Sequence, residues 1–155
     1  MLAELAVKRV LHGRLPAPDY PAALRARAPQ VWWGRADRTF DYARANHAPH
    51  GRVTQCAGLV AQATAQAAHA VLAARGQWIT NEKQLLTRAD LRQVDDFISA
   101  ASPHPDALRD LVDSSRALAF NSISTLMSEL SAFIRPLVLT MRIIPCRTRS
   151  PDMLR

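Results

Sequence analysis

The sequence is poor in cysteine and in long apolar runs. It has two cysteines in 155 residues, Cys56 and Cys146, and neither belongs to a Cys-x-x-Cys pair. This excludes a disulfide-rich scaffold and predicts free thiols in a reducing cytoplasm. No apolar run is long enough to span a bilayer, so we expect no membrane partner. The N-terminus places its charges inside an apolar stretch, which is not the pattern of a secretory signal.

Motifs for catalysis and phosphate binding are also missing. The chain has no Gly-x-Ser-x-Gly elbow and no Gly-rich phosphate-binding loop. His69 could act as a general base, but the favoured interpretation is that it is a packed structural histidine. Cys56 is interpreted as a small core residue. The pairs nearest to a metal site are interpreted as loop residues or solvated groups: His47 with His50, Asp95 with Asp96, and Asp110 with Asp113. We predict no catalytic residue, no metal and no cofactor.

Positive charge is concentrated in two parts of the chain. The net charge is +7, and residues 1–76 hold ten basic and four acidic residues. Residues 77–120 are slightly acidic, whereas the tail after residue 135 is basic again. Eighteen of the twenty cations are arginines. The favoured interpretation is solvated surface charge, and the alternative is a nucleotide or nucleic-acid partner.

An Ala-rich segment between Gly51 and Gly76 predicts the central helix. It has no proline and no glycine after Gly58, and a glycine after the last periodic residue commonly ends a helix. Small and apolar residues recur at three- and four-residue steps and share one predicted inner face: Val53, Ala57, Val60, Ala61, Thr64, Ala67, Ala68, Val71 and Leu72. Because most of them are small, we expect neighbouring helices to approach this one closely.

The rest of the first 120 residues predicts helices separated by proline- and glycine-containing breaks. A short helix should end near Gly13, and residues 16–21, with three prolines, should be extended. Helices are then expected from Ala22 to Pro29 and over residues 35–46, with Trp32 and Trp33 in a loop between them. The two tryptophans are interpreted as pinning this loop to the core, and the alternative is a stacking platform for a base or sugar ring.

Further helices are expected after the central one, and no confident strand is predicted before residue 121. Capping patterns place helix starts at Asn81 and at Asp90, and residues 106–120 form another amphipathic helix. We predict an all-α helical bundle around the central Ala-rich helix. Residues 1–120 form the helical domain, and residues 121–155 form a divergent helix and an irregular basic tail. Within that tail residues 137–144 are apolar and β-branched, more typical of a strand.

Several stretches of the sequence resemble a known family. They read DYPAALRARAP, WWGRADRTFDYARAN, CAGLVAQATAQAAHAVLAARGQWITNEKQLL and RADLRQVDDFI, within residues 1–118. They resemble the C-terminal helical half of actinobacterial nucleotidyltransferase-domain proteins, in the DNA polymerase β-like nucleotidyltransferase superfamily. The most specific piece is residues 68–83. In that superfamily a separate palm domain carries a Gly-Ser and an Asp-x-Asp pair that bind metal ions and the nucleotide, and this chain has neither motif.

The resemblance implies a substrate-binding role for the link after the central helix. Trp78 would form a wall, Asn81 and Lys83 would make polar contacts, Glu82 would serve as a base, and Arg75 lies a short loop away. We therefore expect a truncated helical substrate-binding half of a nucleotidyltransferase-like protein, not catalytic alone. Its expected partners are a nucleotide or small-molecule acceptor and a palm-bearing chain, and self-association is also expected. The alternative is a stand-alone basic helical module that binds nucleic acid.

Overall fold

The computed structural model describes residues 2–140, with side chains as far as Ser128, and these residues contain no strand. Six α-helices follow one another: α1 (Leu2–Val7), α2 (Ala22–Asn46), α3 (Val53–Ala74), α4 (Leu85–Arg88), α5 (Val94–Ser99) and α6 (Pro105–Thr140). Two short 3₁₀ helices lie at Ala48–His50 and Glu82–Gln84. The prediction of an all-α bundle is confirmed.

Helix α3 lies at the centre of the bundle, as its small side chains predict. It packs against α2 and α6 along its length and against α4 and α5 near its C-terminal end. Between Ala67 and Ala74 every residue except His69 is buried, so this part of α3 is enclosed on all sides. The inner face was predicted correctly at Val60, and wrongly at Ala61, which is exposed. By length and composition α3 is the one described helix that could cross a membrane, but a buried core helix passes the same test.

The turn after α3 ends the helix at the predicted glycine. Gly76 has a positive φ of 67°, which glycine adopts without steric cost. Its N–H donates to the carbonyl of Ala73, and the N–H of Gln77 donates to the carbonyl of Leu72 at 2.9 Å. These bonds satisfy carbonyls at the helix end and reverse the chain. Residues 77–79 therefore fold back beside α3.

Helix α2 is continuous where two helices and a loop were predicted, so the loop placement of Trp32 and Trp33 is wrong. Pro29 lies inside the helix and is fully buried. A proline within a helix removes one hydrogen bond and costs about 3 kcal/mol. Packing offsets this cost: α2 runs antiparallel to α3, with the Arg25 Nε donating to the carbonyl of Ala74 at 2.8 Å near one end. Tertiary contacts therefore override the local proline signal.

Helix α6 is also longer than predicted. Its backbone runs unbroken from Pro105 to Thr140, through the expected domain boundary at residue 120, and that division of the chain stays a prediction. Residues 137–140 belong to its last turn, so the strand expectation is wrong for them, while residues 141–144 lie outside the described residues. The helix start predicted at Asp90 is wrong as well, because Asp90 has a φ of 60° and α5 begins at Val94.

Two sets of ion pairs hold α6 against α2. Arg116 donates to Asp37 and, at 2.8 Å, to Asp41, and Arg44 donates to Asp113 at 2.8 Å. All these side chains keep a third or more of their surface exposed, so each pair contributes about 1 kcal/mol or less. The pairs direct the carboxylates of α2 toward α6. Arg44 of α2 faces the same helix, so both carboxylates and one arginine of α2 are used in the contact with α6.

Candidate functional site

A small cavity of about 120 Å³ lies where the reversed link after α3 meets α2 and α3. Most of its lining is aromatic or apolar, with one histidine and one amide side chain: Tyr20, Trp32, His69, Leu72, Ala73, Gln77, Trp78 and Ile79. The Gly76 turn brings Trp78 against Tyr20, with ring centroids 4.7 Å apart. The Trp78 indole N–H donates to the carbonyl of Pro18 at 3.3 Å, which fixes the ring. The extended segment before α2 therefore closes one side of the cavity.

His69 is the imidazole in the lining, and its surroundings favour the neutral form. It stacks on Trp32 of α2, with centroids 4.7 Å apart and the rings 24° from parallel. Burial lowers the pKa of His69 below its ordinary value, and the nearby Glu82 carboxylate opposes this shift. No described residue hydrogen-bonds to either ring nitrogen. His69 is thus a neutral imidazole with a free acceptor nitrogen and a free N–H donor.

The residues predicted from sequence are divided between the cavity and its surroundings. Trp78 lines the cavity. Glu82 is solvent-exposed, but it lies close enough to His69 to act on the imidazole electrostatically. Asn81 caps the short helix at Glu82–Gln84, with its side chain accepting from the Lys83 N–H at 2.8 Å, so the predicted cap is confirmed. Asn81 and Lys83 are exposed and do not line the cavity.

Arg75 is used to hold the link rather than to line the cavity. Its guanidinium donates to the carbonyl of Arg88 at 2.5 Å and to Asp90 at 2.9 Å. Arg88 in turn donates to the carbonyl of Trp78 at 3.3 Å and to the Gln77 side chain at 3.2 Å. The two arginines therefore connect the end of α3, the α4 segment and the link that carries Trp78. Arg75 positions the cavity wall.

The two adjacent tryptophans have different surroundings. Trp32 faces the cavity, whereas Trp33 packs on Phe120 of α6, with centroids 5.6 Å apart. Sequence reasoning treated them as one cluster and gave His69 a structural role. Their separation follows from consecutive helical positions pointing about 100° apart, which is visible only once α2 is known to be continuous. Tyr20 had no sequence signal, since it reaches the cavity through the fold-back of residues 77–79.

The titration of His69 should be visible in the pH dependence of stability. The unfolded chain binds a proton at this site near the ordinary histidine pKa of about 6.5, whereas the folded chain resists protonation. The free energy of unfolding should therefore fall as pH is lowered through 6.5, and the loss should end below the folded-state pKa. Urea denaturation across this range, in the wild type and in His69→Gln, measures the effect. The free energy of unfolding should depend less on pH in the variant than in the wild type. A titration midpoint of His69 above pH 6.5, measured by NMR, would contradict the lowered pKa.

No group of three metal-ligating side chains occurs in the part of the chain that the structure describes. The chemical groups of the site are an aromatic cavity, a neutral imidazole and a nearby carboxylate. The sequence matches no family model, no curated protein and no solved structure. The resemblance to nucleotidyltransferases stays a prediction.

Proposed function

We propose that this chain is the helical acceptor-binding component of a nucleotidyltransferase-like system. The observation that carries the proposal is the placement of His69, with both ring nitrogens free, in a cavity walled by Trp32 and Trp78 and within electrostatic range of Glu82. The sequence contains no Asp-x-Asp pair and no Gly-Ser, so the metal-binding carboxylates of nucleotidyl transfer would come from a palm-bearing partner. This chain would hold the acceptor.

The cavity dimensions define the part of the acceptor that it can hold. A volume of about 120 Å³ is close to the 150 Å³ at which an apolar protein cavity binds benzene. The cavity therefore fits a single ring, and the aromatic walls favour stacking on its face. A hydroxyl on that ring could donate its proton to the neutral imidazole of His69. Glu82 would stabilise the imidazolium that forms, since a nearby carboxylate favours the charged state.

The function is tested by nucleotide transfer that depends on this chain. The protein is added with Mg²⁺ and labelled nucleotides to an extract of its host, and label transferred to small molecules is measured with and without the chain. We expect chain-dependent transfer in the wild type and its loss in His69→Gln. The control is His104→Gln, an exposed histidine before α6, which should keep the transfer. Absence of chain-dependent transfer, or equal transfer by the His69 variant, would contradict the proposal.

Ring binding can be measured separately from transfer. We expect phenol, as a single-ring probe with one hydroxyl, to shift the His69 imidazole resonances of histidine-labelled protein in a saturable way. Trp78→Leu should weaken this binding about tenfold, a loss of about 1.4 kcal/mol that is typical of one aromatic stacking contact. Trp33→Leu, which removes the tryptophan packed on Phe120, is the matched control and should leave the affinity within about twofold. Equal losses in the two variants would show that phenol does not use the cavity.

A stand-alone nucleic-acid-binding module is the second candidate. The observation in its favour is that Arg27, Arg35 and Arg38, at helical spacing on an exposed face of α2, have no carboxylate partner among the described residues. Phosphate contacts release counterions, so binding to single strands should weaken steeply with salt. Titration of a short oligonucleotide at several salt concentrations separates the two candidates. Tight, salt-sensitive binding without chain-dependent nucleotide transfer would favour this one.

A further inference from the structure

A second concavity, of about 340 Å³, lies between α2 and α3. It is lined by two arginines, three other side chains that carry polar groups on neighbouring turns, a tyrosine and one leucine: Arg35, Arg38, Thr39, Tyr42, Leu59, Gln62 and Gln66. The lining contains no carboxylate. The groove adjoins the cavity described above, because the Arg35 guanidinium lies over the Trp32 ring at 5.1 Å from its centroid.

The two arginines in this groove are available to a ligand. Neither has an ion pair with any described residue. The neighbouring acidic residues of α2 are already occupied, since Asp37 and Asp41 both bind Arg116 of α6. The stacking of Arg35 on Trp32 leaves the guanidinium N–H groups free, because the indole face contacts them through its π system rather than through an acceptor atom. Two positive charges therefore face one groove without compensation.

The remaining polar groups of the lining add hydrogen-bond donors. The Thr39 hydroxyl lies 3.1 Å from the Gln66 side-chain oxygen, which ties the amide of α3 to α2 at the groove wall. In either orientation of this amide at least one N–H of Gln66 remains free, since Thr39 can occupy only one of its four hydrogen-bonding positions. Gln62 supplies a second amide and Tyr42 a hydroxyl. Together with the arginines, the groove is rich in donors and carries no anion.

We propose that this groove binds the phosphoryl group of a ligand. A phosphate presents only acceptor oxygens and a negative charge, and arginine recognises that geometry with paired N–H groups. The donor set, the absence of carboxylates and the rigid helical support all match this one chemical class. The proposal does not depend on the function of the neighbouring cavity, because its residues and its probe are different. The phosphoryl group could belong to a small phosphorylated molecule or to a nucleic-acid strand.

Calorimetric titration with inorganic pyrophosphate tests the groove. We expect saturable binding at low salt, and Arg38→Gln and Arg35→Gln should each weaken it about tenfold, as expected for the loss of one charge-assisted contact. Arg52→Gln is the control, because it removes the same charge from an exposed arginine that lies outside the groove. It should change the affinity less than about twofold. Absence of binding, or an equal loss in Arg52→Gln, would overturn the proposal.

The two sources of the phosphoryl group are separated by repeating the titration with adenosine monophosphate and with a short oligothymidylate. If the ligand is a small phosphorylated molecule, adenosine monophosphate should compete with pyrophosphate. The affinity of the oligonucleotide should then rise little with each additional phosphate. If the ligand is a nucleic-acid strand, the oligonucleotide should bind more tightly than the monophosphate, and its affinity should fall steeply with salt. The slope of log affinity against log salt concentration should then decrease in magnitude by about one in Arg38→Gln. Either result supports a phosphoryl site in the groove. Binding of the oligonucleotide that is unchanged in both groove variants would place nucleic acid elsewhere and count against the site.

Discussion

Gly51→Ala should lower the free energy of unfolding by about 2–5 kcal/mol. Gly51 ends the short helix between α2 and α3 with a φ of 64°, a conformation that costs a residue with a side chain about 1–2 kcal/mol. A Cβ at this position would also lie 2.5 Å from the carbonyl oxygen of Pro103. Because that oxygen is backbone, relief requires the segment before α6 to move, at a further cost of about 1–3 kcal/mol.

Two other glycines separate these contributions. Gly76→Ala meets nothing closer than 3.5 Å at a φ of 67°, so it should show the conformational cost of about 1–2 kcal/mol without the clash. Gly58→Ala lies inside α3 with no atom within 4 Å of the new Cβ, and should stabilise the protein by about 0.5–1 kcal/mol. Urea denaturation of the three variants gives the comparison. If Gly51→Ala cost no more than Gly76→Ala, the contact with Pro103 would not be tight.

The elements that the sequence predicts well are those whose signals are local. The start and end of α3 follow from Ala-rich composition and from Gly76, whose conformation is needed for the closing hydrogen bonds. Asn81 acts as a cap because its side chain reaches the N–H of Lys83, two residues on. The absence of helix over residues 16–21 and the extended conformation of Pro21 follow from the prolines. In each case the deciding interaction lies within a few residues of the sequence signal.

The failures occur where distant contacts decide. Pro29 was predicted to end a helix and residue 120 to end the domain, yet α2 continues because it packs on α3, and the backbone of α6 continues past residue 120. A local proline cost of about 3 kcal/mol is offset by the free energy gained on burying one or two large side chains, and Phe40 on the same helix is fully buried. Helix interruption therefore cannot be decided from the proline alone.

The candidate site shows the same division. The family resemblance predicted a substrate-binding role within residues 75–83, and Trp78 does line the cavity. The imidazole and the facing indole come from α3 and α2, and Tyr20 comes from the segment before α2, so their convergence depends on helix packing. His69 also lies among alanines on a buried helix, where a structural role is the more common one. Only its unpaired nitrogens and its position beside Glu82 distinguish it, and both are properties of the folded chain.

Ala67→Leu should destabilise the protein by about 1–3 kcal/mol, and its effect should extend to the site. Ala67 is fully buried in the core, where three added carbon atoms have no space unless neighbouring helices move apart. Alanine and leucine have similar helix propensities, so the change reports packing and not helix formation. Ala61→Leu is the control on the same helix: this position is exposed, and the stability should stay within about 0.5 kcal/mol of the wild type.

The same substitution tests whether the packing of α3 sets the chemistry of His69. Trp32 and His69 stack across the interface between α2 and α3 at 4.7 Å, so a wider separation of the helices would loosen the stack and admit water. Burial is what lowers the pKa of His69, and the pKa should therefore move back toward its ordinary value in Ala67→Leu and stay unchanged in Ala61→Leu. NMR titration of labelled histidine measures both. A destabilised Ala67→Leu variant with an unaltered His69 pKa would show that the cavity keeps its geometry independently of the close approach of these two helices.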